Sequence, residues 1–305
     1  MWWFALAAVL AALILVIIKI NNPDSVSAPQ KQAVQARQAA PKPQAKPKPT
    51  LDKTRFVALY GTPGAPVLGT LGSYGSPADA MNAVKKLAAD YQVFSVEPVK
   101  PTLEIITTIA SASPTENGDY SREIEPAALL PWIDAAKQAG VYVVLDLQPG
   151  RTDFPAQAKL YEQLLREPHV GLALDPEWRL YGDQRPMDQI GSVSAQEVNQ
   201  TGAWLSEITK RYDLPQKLFL LHQFRMDMLA DRDQIDTSRP ELSIVVQMDG
   251  QGAQNVKQDT WRVLTTNPPT GIRFGWKNFY QKDPVVLSPQ GTMAVTPRPW
   301  YVSYQ

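Results

Sequence analysis

From residue 55 onward, short apolar runs recur, separated by stretches in which apolar residues return every three or four positions. The runs are Phe56–Tyr60, Leu103–Ala110, Val141–Leu147, Val170–Leu174, Lys217–His222, Leu242–Met248, Gly271–Trp276 and Trp300–Tyr304. They are continuously apolar rather than alternating, as expected of strands covered on both faces in a parallel sheet. Helical patterns lie between many of them. Pro77–Tyr91 places Ala80, Val84, Leu87 and Ala88 along one face. Pro126–Ala139 opens on a proline, favoured in a first turn, and stops before Gly140, a common helix-end residue. Phe154–Leu165, Ala195–Tyr212 and a stretch from near Gln254 to Leu264 complete the set. Alternating strand and helix predict an α/β protein with a parallel sheet. Eight strands in about 250 residues predict that the sheet closes into a (β/α)8 TIM barrel. The proline-rich stretch Gln281–Arg298 has no clear helix, so the last repeat is expected to be irregular. An open doubly wound sheet is the alternative.

The amino terminus is of another kind. Trp2–Ile18 is an unbroken apolar run followed by Lys19, just long enough for a spanning helix, which needs about 20 residues. Trp2 and Trp3 suit a membrane interface. There is no positive leader, and Pro29 follows the weak cleavage site Val26-Ser-Ala28, which favours an uncleaved anchor over a removed signal. Residues 21–54 are rich in Ala, Pro, Gln and Lys, as in Ala40-Pro-Lys-Pro-Gln-Ala-Lys-Pro-Lys-Pro49. That composition predicts a disordered, extended linker. The expected organisation is a transmembrane anchor over 1–20, a linker over 21–54 and a barrel domain over 55–305.

The chain carries 30 basic and 30 acidic side chains, but unevenly. Residues 1–55 hold eight Lys and Arg against Asp24 and Asp52, leaving 22 basic and 28 acidic side chains, a balance of −6, in the remainder. An acidic globular part argues against nucleic acid as the partner. The chain has no cysteine, which excludes disulfides, thiolate metal sites and cysteine nucleophiles. His169 and His222 are the only histidines, so a three-histidine zinc site is impossible and a Ser-His-Asp triad has few places to form. No cofactor is called for. The positive-inside rule would keep the basic linker in the cytoplasm, but long domains translocate despite charge. The lack of cysteine fits export, so the expected location is the cell membrane, single-pass, with the domain outside.

The candidate chemistry gathers at the carboxyl ends of the strands. Asp175 and Glu177 follow the run Val170–Leu174 two residues apart, and so share a face if the strand continues. A plainer reading has Asp175 cap the following turn and Glu177 pair with Arg179. Other strand ends supply Tyr60, Asp146, Gln148, His222, Gln223, Gln247, Asp249 and Trp276, and Trp300 stands on the last strand. Aromatic faces stack on sugar rings, amides and carboxylates bind hydroxyls, and a carboxylic acid of raised pKa protonates a glycosidic oxygen. Asp146, Asp175 and Asp249 could instead ligate a divalent cation, but the expected metal content is none. His169 precedes its strand, at the other end of the barrel, and reads as structural.

The segment Val170-Gly171-Leu-Ala173-Leu-Asp175-Pro-Glu177 resembles the fourth-strand motif Asp-Gly-x-Asp-x-Asp-x-Glu of the chitinase-type, family-eighteen glycosidases. The glycine, last aspartate and glutamate match, while Val170 and Ala173 stand at the first two aspartate positions. Gln247-Met248-Asp249 loosely echoes that family's sixth-strand Met-x-Tyr-Asp, and Trp300 its last-strand tryptophan. The resemblance implies Glu177 as general acid, with Asp175 orienting an acetamido group in substrate-assisted catalysis. A two-carboxylate mechanism would take its second acid from another strand, from Asp146 or Asp249. The expected function is a membrane-tethered, surface-exposed glycoside hydrolase-like barrel acting on a cell-wall or extracellular polysaccharide, such as a peptidoglycan-type glycan. The alternatives are a carbohydrate-binding barrel without turnover and a structural envelope protein.

Overall fold

The computed structural model describes residues 50–305. The expected anchor and most of the expected linker lie outside the described residues. Among the described residues, no helix is long and apolar enough to cross a membrane. Leu51–Lys53, at the end of the expected linker, form one 3-10 turn, and the Leu51 amide donates to Gln216 Oε1 at 2.7 Å.

Eight strands close a parallel barrel: β1 (Arg55–Gly61), β2 (Val99–Ala110), β3 (Tyr142–Leu147), β4 (Val170–Leu174), β5 (Lys217–Gln223), β6 (Leu242–Met248), β7 (Arg273–Asn278) and β8 (Tyr301–Tyr304). Each pairs with the next in the chain. The ring closes where Phe56 of β1 lies opposite Tyr301 of β8 on one side and Lys100 of β2 on the other. The closed ring excludes the open-sheet alternative. Helices α1 (Pro77–Gln92), α2 (Pro126–Ala139), α3 (Phe154–Leu160), α4 (Glu162–Leu165), α5 (Ala195–Arg211), α6 (Gln254–Thr265) and α7 (Pro289–Met293) lie in the connections.

Several boundaries differ from expectation for local reasons. The helix expected over Phe154–Leu165 breaks at Tyr161, whose buried hydroxyl donates to the Thr107 and Ile124 carbonyls at 2.8 and 2.9 Å. β7 runs two residues beyond Trp276, to Asn278. The last repeat does carry a helix, α7, whose N-terminal amide of Gly291 is capped by Ser288. The connection with no α-helix is instead 224–241, between β5 and β6. There Arg232 folds back to donate to Gln223 Oε1 at 2.9 Å, and the segment forms 3-10 turns and a two-residue strand, Leu229–Ala230, that pairs with Val193–Ser194.

Strand alternation sorts side chains into two cores. Val57, Leu59, Leu103, Ile105, Phe219, Leu221, Val246 and Trp276 face the helices. Phe56, Ala58, Tyr142, Val144, Ala173, Leu218, Leu220, Val245 and Tyr301 fill the lower lumen. Both faces are apolar, which explains why the strands read as continuous runs. Gly171, part of the chitinase-like motif, faces the lumen and makes room for this filling: a Cβ there would stand 3.0 Å from the Tyr142 hydroxyl and 2.7 Å from the Leu218 carbonyl.

A buried acid–base cluster at the carboxyl mouth

Above that apolar plug the lumen turns polar, and every strand contributes. Tyr60 comes from β1, Glu104 from β2, Asp146 from β3, His222 from β5, Lys277 from β7 and Tyr301 from β8. Asp175 and Asp249 stand just past β4 and β6. The alternation that places Phe56 and Ala58 in the lumen brings Tyr60 there too, and the register sets it level with Glu104.

The groups form one chain of contacts. Tyr301 donates to Glu104 Oε2 at 2.9 Å. His222 Nε2 meets Glu104 Oε1 at 2.7 Å, and His222 Nδ1 meets Asp249 Oδ2 at 2.7 Å. Lys277 Nζ pairs with Asp249 Oδ1 at 3.0 Å and lies 3.3 Å from the centre of the Tyr60 ring. Tyr60 in turn donates to Asp146 Oδ2 at 2.8 Å. Asp146 Oδ1 is buried with no hydrogen-bond partner.

Burial divides these acids into two kinds. It raises Asp146 to about 6 and Asp175 well above its ordinary value, and it raises Glu177 to about 7 with help from the neighbouring Asp249 charge. Burial also pushes Asp249 up, but Lys277 and His222 outweigh it and hold Asp249 below the ordinary aspartate value. For His222, burial favours the neutral ring, yet Asp146, Asp249 and Glu104 prevail and its pKa stands well above normal. These directions favour an ionised Asp249 beside a protonated His222 and a protonated Asp175, with Glu177 exchanging its proton near pH 7. Glu177 is only partly buried and Asp249 keeps a small exposed edge, so these two acids meet solvent.

Of the residues expected at the site, the structure brings together Tyr60, Asp146, Asp175, Glu177, His222 and Asp249. Gln148 is peripheral: its Nε2 reaches the Tyr60 hydroxyl at 3.5 Å while its Oε1 accepts from the Ala110 amide. Gln247 lies in the lumen and donates to Ser303 at 2.8 Å. Three expectations are corrected. Gln223 neighbours His222 in sequence, so it points to the opposite face, where it holds the Arg225 and Met226 carbonyls and accepts from Arg232. Trp276 likewise precedes inward-facing Lys277 and packs outward, edge-on to Trp261 with ring centres 5.5 Å apart. Trp300 precedes β8 and therefore lies at the amino-terminal mouth, with the Arg55 and Arg273 guanidinium groups 4.7 and 4.1 Å from its ring centre.

The plainer reading of Asp175 and Glu177 holds in half. Asp175 does cap the turn Pro176–Trp178, accepting from the Glu177 amide at 3.2 Å. Arg179, however, pairs with Glu197 and leaves Glu177 to the cluster. His169 sits at the amino end of β4, bonded to the Ile133 carbonyl, away from the cluster.

Sequence reading missed Glu104, Lys277 and Tyr301. Glu104 had a signal: it is the lone charge in the run Leu103–Ala110, and a charge inside a buried strand is costly unless partnered. Lys277 lies one residue past the expected strand end.

Two trios place oxygen and nitrogen atoms within 4.8 Å of one another, Glu104 with Asp146 and His222, and Asp175 with His222 and Asp249. The second contains two of the three aspartates considered for a cation. In both, His222 meets a carboxylate at each ring nitrogen at 2.7 Å.

The fold and site thus define a closed (β/α)8 barrel with an ionisable cluster at its carboxyl mouth, the face where such barrels carry chemistry. No family model and no curated protein matches the chain. Among solved structures it is similar to a xylanase and α-amylase inhibitor protein, at 12% identity over 82% of this chain and 92% of that one, with a TM-score of 0.44. It is also similar to the 7,8-dihydropteroate synthase of Vibrio fischeri ES114, at 11% identity, 83% and 88% coverage and a TM-score of 0.43. A xyloglucan-specific endo-beta-1,4-glucanase from a metagenomic library stands at 9% identity, 76% and 80% coverage and a TM-score of 0.42. Likenesses this distant speak to neither substrate nor chemistry.

Proposed function

We propose that the chain is a glycoside hydrolase-like barrel that cleaves a polysaccharide by acid catalysis from the end of the fourth strand. The observation that carries this reading is Glu177: a partly exposed carboxyl held protonated up to about pH 7, beside an Asp249 held ionised. Two carboxyl groups whose surroundings push their pKa values apart are the ordinary basis for assigning an acid and its partner. Glu177 is the proton donor to the leaving oxygen. Asp249 stabilises positive charge as the glycosidic bond breaks, water adds to the anomeric carbon and gives up its proton to the Glu177 carboxylate, and Asp175 holds the Glu177 backbone through its cap. An Asp175 oxygen lies within 4.8 Å of an Asp249 oxygen, and Glu177 follows Asp175 by two residues.

The substrate class we propose is a cell-wall or extracellular glycan of peptidoglycan type, with no nucleic acid partner. The apolar run Trp2–Ile18 would hold the chain in the membrane with the barrel outside the cell. Protease added to intact cells should then remove the barrel domain, and a fully protected domain would overturn that placement.

The test of catalysis is reducing-end release from purified wall glycan. Glu177→Gln should abolish release while leaving the melting temperature and glycan binding in place. Undiminished release in that variant refutes the assignment. One observation favours a second reading, a carbohydrate-binding barrel without turnover: Asp175 is 2% exposed and Asp146 and His222 are fully buried, so little of the cluster meets a ligand directly. Glycan binding without release by the unaltered chain selects it. Neither binding nor release would leave a structural envelope role.

A further inference from the structure

Glu104 is sealed inside the cluster, away from any substrate at the mouth. Its side chain is fully buried, and its two oxygens meet Tyr301 and His222. Its partner His222 meets a carboxylate at each ring nitrogen, both at 2.7 Å. A neutral imidazole carries one proton, so it can serve only one of two ionised acceptors and would turn a lone pair toward the other. Two short contacts to two carboxylates are satisfied together when the ring carries both protons.

The groups facing His222 come from every other strand. They are Tyr60 at a ring separation of 6.0 Å, Glu104, Asp146, Asp175 with Glu177 beyond it, Asp249, Lys277 through Asp249, and Tyr301 through Glu104. The one carboxylate that His222 contacts and that is sealed from solvent is Glu104. Asp249 keeps an exposed edge and also has Lys277.

We propose that Glu104 is a positioning residue: by pairing with His222 Nε2 it keeps the ring doubly protonated and turned toward Asp249, which fixes the orientation and the charge of that mouth carboxylate. The role of Asp249 in turnover rests on the function proposed above, but the coupling of Glu104 to His222 does not. Its test needs no substrate.

The chain has only two histidines, so the full-length protein labelled with nitrogen-15 histidine gives two ring systems, and His169→Gln assigns them. In the unaltered protein, both His222 nitrogens should be protonated at pH 7 and remain so above it. In Glu104→Gln, which keeps the shape but removes the charge, the His222 midpoint should fall by about 1–3 pH units, the effect of losing an opposite charge at contact distance. The Asp249 carboxyl, followed by carbon-13, should titrate higher. A structural role for Glu104 alone would not move either titration. A neutral His222 at pH 7 in the unaltered protein overturns the proposal whether or not the variant folds. A folded Glu104→Gln protein with an unshifted His222 overturns it as well. Continued glycan release by Glu177→Gln would remove the hydrolase reading and leave this result standing.

Discussion

Lys277 Nζ lies 3.3 Å from the centre of the Tyr60 ring while it pairs with Asp249 at 3.0 Å. The cation is 1% exposed, and a carboxylate and an aromatic face replace its lost water. A desolvated cation–π contact is worth about 2 kcal/mol, and the same Tyr60 carries its hydroxyl to Asp146 at 2.8 Å. β7, β1 and β3 are thereby joined inside the lumen. The mouth of the barrel is held by charge and aromatic contact where its lower half is held by apolar filling.

That position makes Lys277→Met costly despite its similar volume. Asp249 loses one of its two cationic partners and keeps His222 at 2.7 Å, so the cost is below the value for a fully stranded buried charge. Chemical denaturation should show a fall of about 1.5–3 kcal/mol, the worth of a hydrogen bond to a charged group. Changing Asp249→Asn as well should recover part of it, because the under-paired carboxylate is gone. A single variant within about 1 kcal/mol of the unaltered chain would show that solvent reaches Asp249 more freely than its 7% side-chain exposure implies.

Gly275 on β7 is predicted to be intolerant of alanine because of one neighbour. A Cβ there would fall 1.8 Å from Gln247 Oε1 and 3.0 Å from the Tyr301 carbonyl. Gln247 is pinned by its bond to Ser303 at 2.8 Å, so it cannot swing away without losing that bond. Overpacking of this kind costs about 1–3 kcal/mol. Gly275→Ala should lower stability by that amount, and Gln247→Ser in the same chain should restore most of it. Failure of the second change to rescue would place the clash at the β8 backbone.

Much of the barrel was legible because its strands are covered on both faces, and burial writes itself as continuous apolar runs. Less legible was which way each residue points, since the same continuity hides the alternation. Gln223 and Trp276 read as site candidates from their place at strand ends, yet each neighbours a lumen-facing residue, His222 or Lys277, and so faces outward. Trp300 comes before its strand and therefore lies at the opposite mouth. Asp175, Glu177, His222 and Asp249 were found because polar groups at successive strand ends are conspicuous. Glu104 was not, because it sits mid-strand, where its partners His222 and Tyr301 are more than a hundred residues away in sequence.

The cluster also gives stability an uncommon dependence on pH. Asp146 is raised to about 6, first by burial. Below about pH 4, the ordinary aspartate value, the carboxyl is protonated in both folded and unfolded chains and costs nothing. Between about pH 4 and 6 the unfolded chain ionises while the folded chain keeps its proton, so stability falls as pH rises. Above about pH 6 the loss levels off on the order of 3 kcal/mol. Asp146→Asn keeps the hydrogen bond from Tyr60 and removes this cost. Denaturation across pH should show the two chains alike near pH 4 and the variant progressively more stable toward pH 7. A constant difference across that range would mean that Asp146 is ionised throughout.

The last prediction concerns Glu177 and separates its neighbours by sign. Burial and the Asp249 charge raise it to about 7, while Lys277, His222 and Lys282 oppose them. A general acid works in its protonated form, so glycan release should fall tenfold for each pH unit above about 7. Lys282 is exposed and approaches from the β7 loop. Lys282→Met removes a charge that favours the ionised form, so the midpoint should move upward, by less than about one unit and less still at high salt. His222→Gln removes a second lowering charge and should move it the same way. Asp249→Asn removes a raising charge and should move it down. A carbon-13 titration of the Glu177 carboxyl reads all three midpoints without a substrate, and pH–rate profiles should follow them. Shifts of the same sign from Lys282→Met and Asp249→Asn would mean that Glu177 does not stand between these two charges.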